Sequence, residues 1–170
     1  MKKIIVIGCP GSGKSTMVFK MQDILKDYAV LHLDKVYHID NNTRISSEEL
    51  WKIIRDFAKN NEKWIIDGNY ISSMEERITL ADSVILLDID TNTCIQNAIN
   101  RSKKARTPDM AEGFDVSIIK DDFLDFIAKF KNETLPKIMD LYQKYKDKKQ
   151  FVILHNYKEV DEFLNNLKPE

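Results

Sequence analysis

Five short apolar runs punctuate the chain, at residues 4–8 (IIVIG), 29–34 (AVLHLD), 63–67 (KWIID), 83–89 (SVILLDI) and 150–155 (QFVILH). Their β-branched content, and the turn or polar residues beside them, predict strands. Between these runs apolar positions recur at helical spacing. Met17, Met21, Ile24 and Leu25 share one face of a helix predicted over 15–26. Leu50, Ile53, Ile54 and Phe57 mark a second, opened by the N-cap and first-turn chemistry of Ser46, Ser47, Glu48 and Glu49. Asp90 or Thr91 offers the cap of a third, which runs through Ile95 and Ile99 towards Arg101. The longest pattern spans 116 to about 145, with Ile119, Phe123, Ile127 and Phe130 in register. Pro136 must break or kink it, and Thr134 is a candidate cap for the continuation. A final helix is predicted over 159–167.

Strands that are apolar throughout, alternating with amphipathic helices, imply an α/β fold with a parallel sheet covered on both faces. Ligands of such sheets bind beyond the carboxyl ends of the strands. Gly8, Asp34 and Asp67 close three of the runs, and Asp88 and Asp90 a fourth. The stretch WIIDGNY, residues 64–70, poses the question most sharply. Asp67-Gly68 is an ordinary turn dipeptide, yet it also sets a carboxylate at the active end of a sheet, where a metal-associated acid belongs.

Composition narrows the class. A chain of 170 residues fits one domain and buries roughly 70% of its unfolded surface. Its 43% apolar and 31% charged residues are those of a globular protein. The 26 Lys and Arg against 27 Asp and Glu give a net charge of -1, which counts against strong direct nucleic-acid binding. Cys9 and Cys94 are far apart and lack metal-ligand spacing, as expected in a reducing cytoplasm. The first apolar run is too short for a signal sequence or a membrane span, so a soluble cytoplasmic protein is expected.

Residues 8–15 read GCPGSGKS, a full match to G-x-x-x-x-G-K-[ST] between a predicted strand and a predicted helix. Gly8, Gly11 and Gly13 allow positive φ and close backbone approach, so that the N–H groups around Ser12 and Thr16 can cradle phosphate. The helix N-terminus adds its dipole. Lys14 is placed for the β- and γ-phosphates and Ser15 for Mg²⁺. A phosphate loop names the donor and not the reaction. The guanine-specifying N-K-x-D and the transporter signature L-S-G-G-Q are absent, and the chain is short for a helicase or motor. Size and layout leave a small-molecule kinase.

Phosphoryl transfer needs positive charge around the transferred group. Arg44, Arg77, Arg101 and Arg106 fall near predicted loops and helix ends. RSKKAR, residues 101–106, reads as a lid that brings Arg101 and Arg106 to the nucleotide phosphates, or as a solvated basic helix end. Asp34 is placed to hold or deprotonate an acceptor hydroxyl, and equally to cap the turn that follows it. Tyr37 and Tyr70 follow strand ends and are candidate walls of an acceptor pocket. If the acceptor is a phosphate, Arg44 and Arg77 matter more and no base is required. His32 and His155 lie within strands and read as packed, and His38 shows no evident partner.

Taken together, GCPGSGKST, HLDKVYH, WIIDGNY, Arg77 before ADSVILLD, and RTPDMAEGF resemble the adenylate-kinase-like P-loop proteins known as DNA topology modulation proteins, almost from end to end. The resemblance implies a five-stranded parallel sheet in the order 2-3-1-4-5, flanked by helices, with a short lid. It implies ATP or a related triphosphate as ligand, Asp67 beside Mg²⁺ or the acceptor, and Arg101 on phosphate. His38 stands where members often carry Trp. The expectation is one kinase-like domain over 1–170, with an acceptor-binding segment at about 34–60 and a lid at about 101–114. It would use ATP and Mg²⁺, with Ser15 and Asp67 at the metal, to phosphorylate a small acceptor, a nucleoside or nucleotide first. A nucleotide-binding regulator of DNA topology and a metabolite kinase of the shikimate or gluconate kind are the alternatives.

Overall fold

The computed structural model describes residues 1–103 and 107–169. Its centre is a sheet of five strands: β1 (Lys3–Gly8), β2 (Ala29–His32), β3 (Trp64–Asp67), β4 (Ser83–Leu87) and β5 (Gln150–Leu154). All pair in parallel, in the order β2-β3-β1-β4-β5. Both the parallel sheet and its strand order are as expected. The inner strands are apolar on both faces because helices cover both. Ile4 to Ile7, Trp64 to Ile66 and Val84 to Ile85 are solvent-free.

Helices α1 (Lys14–Ile24), α3 (Ser47–Asn60), α5 (Thr91–Ser102) and α8 (Tyr157–Asn166) confirm the predicted amphipathic segments. Ser46 caps α3 by accepting from the Glu49 amide, and Asp90 caps α5 by accepting from that of Thr93. Asn156 accepts from the Glu159 amide, and Glu159 accepts from the His155 amide and the Asn156 side chain, which starts α8 two residues earlier than expected. No helix among the described residues is long and apolar enough to cross a membrane.

The structure corrects three expectations. The second strand stops at His32, and Leu33–Tyr37 turns into a short helix, α2, which carries Asp34 in its first turn. A helix at Ile71–Leu80, α4, has no counterpart in the periodicity: its buried face mixes Ser73 and Arg77 with Met74 and Ile78, which interrupts the apolar stripe. The long helix begins at Asp121, not 116, because Asp115 accepts from the amide and hydroxyl of Ser117 and exchanges two hydrogen bonds with Asn41. Beyond α6 (Asp121–Lys129), the ladder widens into a π turn over Phe130–Thr134 before α7 (Leu135–Tyr145). That widening accommodates the missing N–H of Pro136 without a break. Thr134 is buried in helical conformation and its side chain caps nothing.

Candidate active site

A cleft of about 970 Å³ opens across the carboxyl ends of β1, β2 and β3. The phosphate loop forms its floor. Gly8, Gly11 and Gly13 all adopt positive φ. At Gly11 the backbone also lies so close to the Cys94 carbonyl that a Cβ would collide with it. The loop is braced from outside by Asn97, whose amide donates to the Gly11 carbonyl at 2.9 Å and to the Tyr157 hydroxyl at 2.7 Å. Lys14 opens α1 and donates to the Cys9 carbonyl at 2.9 Å. Burial pulls the Lys14 ammonium down from its ordinary value, against the attraction of Asp34 and Asp67.

Asp67 ends β3 with 4% exposure and lies opposite His32 in the parallel register. The two side chains meet, His32 Nδ1 to Asp67 Oδ1, at 2.9 Å. Burial lowers the affinity of His32 for its proton, but the hydrogen bond and charge of Asp67, with the charge of Asp109 behind them, outweigh it and leave the pKa raised. His32 is therefore not the inert packed residue its strand position suggested.

The opposite wall is aromatic. The Tyr70 hydroxyl donates to Asp34 Oδ1 at 2.6 Å, and its ring meets that of Tyr37 edge-on with centroids 4.7 Å apart. Burial first, then the Asp34 charge, pushes the Tyr70 phenol up, so it is a constant hydrogen-bond donor. Arg44 lies 5.8 Å from the centre of the Tyr37 ring. His38 sits between Tyr37 and Phe114. Its Nδ1 and both polar side-chain atoms of Asn69 are buried without hydrogen-bond partners.

Residues 107–114 close the remaining side. Turns join the Met110 amide to Thr107 and the Phe114 amide to Ala111. Gly113 bridges to Asp40, and Lys120 donates to the side chain of Asn42. Met110 and Ala111 are buried, so this segment is docked rather than solvated. Asp109, which follows the basic cluster 101–106 in sequence, is 3% exposed and lines the cleft.

Of the residues expected at the site, Gly11, Gly13, Lys14, Ser15, Thr16, Asp34, Tyr37, Arg44, Asp67, Tyr70 and Arg101 all line this cleft. Gly8 and Ser12 support the loop from beneath, Ser12 with no exposure. Arg77 does not reach the cleft. It is fully buried in α4 and donates to Ser73 Oγ at 3.2 Å, the Gly68 carbonyl at 2.9 Å and the Tyr70 carbonyl at 3.0 Å. Burial drives its pKa down to about 10. Its guanidinium holds the turn after β3 in place and leaves no fork for an acceptor phosphate. Arg106 lies outside the described residues. Asn69, Asn97, Asp109 and Tyr157 belong to the site without having been foreseen. For Asp109 the PDMAEG stretch was the available signal.

The same architecture occurs in solved kinases. Deoxyadenosine kinase from M. mycoides with bound dATP matches with a TM-score of 0.52 and 15% identity, over 97% of this chain and 98% of that one. A gluconokinase from Sinorhizobium meliloti 1021 matches with a TM-score of 0.54 and 11% identity, over 96% and 87%. In sequence, the chain is 25% identical over 146 residues to an adenylate kinase isoenzyme 6 homolog of Plasmodium falciparum (isolate 3D7), covering 72% of this chain and 78% of that protein. No family model matches. The likeness to these solved kinases over nearly all of this chain shows a shared fold, here a five-stranded parallel sheet in the order 2-3-1-4-5 whose first strand runs into a phosphate loop.

Proposed function

We propose that the protein is an ATP- and Mg²⁺-dependent phosphotransferase whose acceptor is a nucleoside or nucleotide. The observation that carries this reading is a phosphate loop with Lys14 facing an aromatic, hydrogen-bonding pocket across one continuous cleft. The names of the similar proteins, a deoxyadenosine kinase and an adenylate kinase homolog, point the same way.

Lys14 and the loop amides bind the β- and γ-phosphates, and Arg101 at the end of α5 neutralises charge that develops on the transferred group. Mg²⁺ fits the donors present: the Ser15 hydroxyl and the Asp67 carboxylate are hard oxygens. Among the described residues no group of three or more acids, His or Cys is arranged to hold a metal unaided, as expected where nucleotide phosphates complete the shell. The ion would supply charge neutralisation at the phosphate oxygens when bound.

On the acceptor side, Asp34 is steadied by Tyr70 and orients a hydroxyl for attack. Arg77 is committed to the backbone, and Arg44 lines the cleft with Asp34. The whole chain would act as one kinase-like domain, with residues 34–60 holding the acceptor and 101–114 as a short lid.

The test is acceptor-dependent ADP release from ATP over nucleosides, nucleoside monophosphates, small polyols and sugar acids. Release with a nucleoside supports the reading, and release with gluconate- or shikimate-like acceptors alone replaces it. The DNA-topology reading rests on the sequence resemblance. It predicts no acceptor-dependent release in that panel, together with salt-sensitive DNA binding.

A further inference from the structure

Asp109 presents a problem that the donor and acceptor pockets do not solve. A carboxylate with 3% exposure requires partners for both oxygens, yet its Oδ1 has none. Among the described residues the cation whose charge acts on it, His32, is already engaged on Asp67 at 2.9 Å. Nor is it buried by accident. The 107–114 segment is folded by its own turns and pinned at Gly113 against Asp40. That docking sends Asp109 inward while Glu112, three residues on, remains exposed.

Its position is specific. Asp109 stands beside the hydroxyls of Thr107 and Ser15, and its charge acts on His32, the partner of Asp67. Two nearly solvent-free carboxylates, Asp67 and Asp109, thus line the same cleft as Ser15, one from a strand end and one from the docked segment. Such a pair of anions is stable only with positive charge between or beside them.

We propose that Asp109 is a third oxygen-bearing member of the cation site at the phosphate loop, with Ser15 and Asp67, so that the metal–nucleotide complex itself fastens the 107–114 segment over the cleft. The inference rests on the donor site proposed above and does not depend on which acceptor is used. It gives the already docked segment a part in metal retention, and has the metal–nucleotide complex hold that segment more firmly than nucleotide alone.

The experiment measures free Mn²⁺ by electron paramagnetic resonance in solutions of the full chain, adenylyl imidodiphosphate and MnCl₂. Asp109→Asn should weaken Mn²⁺ retention in the ternary complex at least about tenfold, the usual cost of removing a group that supports a metal. Its affinity for the same nucleotide in EDTA should stay within about twofold of wild type, which also shows that the variant is folded. Equal Mn²⁺ retention by the two proteins overturns the proposal. Failure of the wild type to retain Mn²⁺ with nucleotide overturns the donor site and the proposal together, whereas failure to find an acceptor touches neither measurement. Should the variant not fold, hydrogen exchange on the wild type decides. Amides of 107–114 should gain protection with the Mg²⁺ complex beyond that with nucleotide in EDTA, and equal protection in both overturns the proposal.

Discussion

The phosphate loop is a run of consecutive residues shaped by its own glycines and the helix that follows. The facing wall, proposed to hold the acceptor, is gathered from residues 34–44, 67–70 and 107–123, which meet only in the folded chain. The two halves also differ in how their polar groups are satisfied. On the loop, Lys14 and Asn97 already donate to loop carbonyls, and the Ser12 hydroxyl is the exception. On the acceptor wall, His38 Nδ1 and the whole Asn69 amide are left without partners. A buried polar atom without a partner is costly unless a ligand supplies one. The loop is thus satisfied by its own chain except at Ser12, while the orphans of the facing wall, and Asp109 Oδ1 beside Ser15, are groups that a bound ligand would complete.

The comparison is broken most decisively at Lys14. Lys14→Ala should lower phosphoryl transfer by about 10³-fold while the thermal melt stays near that of the wild type, because a cation that burial disfavours contributes little to the fold. Next, Asp34→Asn should reduce kcat by about 10²-fold with the KM for ATP unchanged, read from steady-state kinetics with a nucleoside acceptor. An equal rise in the KM for ATP would place Asp34 with the donor half instead. Arg77→Met tests the boundary between site and scaffold. It should lower unfolding free energy by about 3 kcal/mol in a denaturant titration, since the Gly68 and Tyr70 carbonyls lose their donors. A stable variant with weakened acceptor binding would return Arg77 to the pocket.

The smallest effect is the pH dependence of the His32–Asp67 pair. The folded-state pKa of His32 lies above the 6.5 of a free imidazole, so the pair stabilises the fold fully below that value. Its contribution is lost as pH rises through the raised pKa. The difference in melting temperature between wild type and His32→Asn should therefore be greatest in mild acid and shrink at alkaline pH. A gap that widens with pH contradicts the assignment.

These differences explain what could be read from the chain. The strands were legible because a sheet covered on both faces needs unbroken apolar runs, as in Ile4 to Ile7. The phosphate loop was legible because its chemistry is contiguous. Helix α4 was not, because the two polar residues on its buried face, Ser73 and Arg77, serve the turn after β3 and so break the periodicity that announces a helix. His32 was read as packed because its partnership with Asp67 arises from strand pairing, which no local pattern reveals. Asp109 was not foreseen for a similar reason: its burial follows from the docking of 107–114 against Asp40. Local sequence thus accounts for the donor half, and tertiary pairing accounts for most of the rest.

The central claim, that one cleft carries a phosphoryl group from ATP to a second bound molecule, is tested most directly by following γ-labelled ATP to its product. With a nucleoside acceptor the label should appear on the acceptor, and Lys14→Ala should abolish its appearance. Label recovered only as inorganic phosphate, at a rate indifferent to every acceptor offered, would contradict the account.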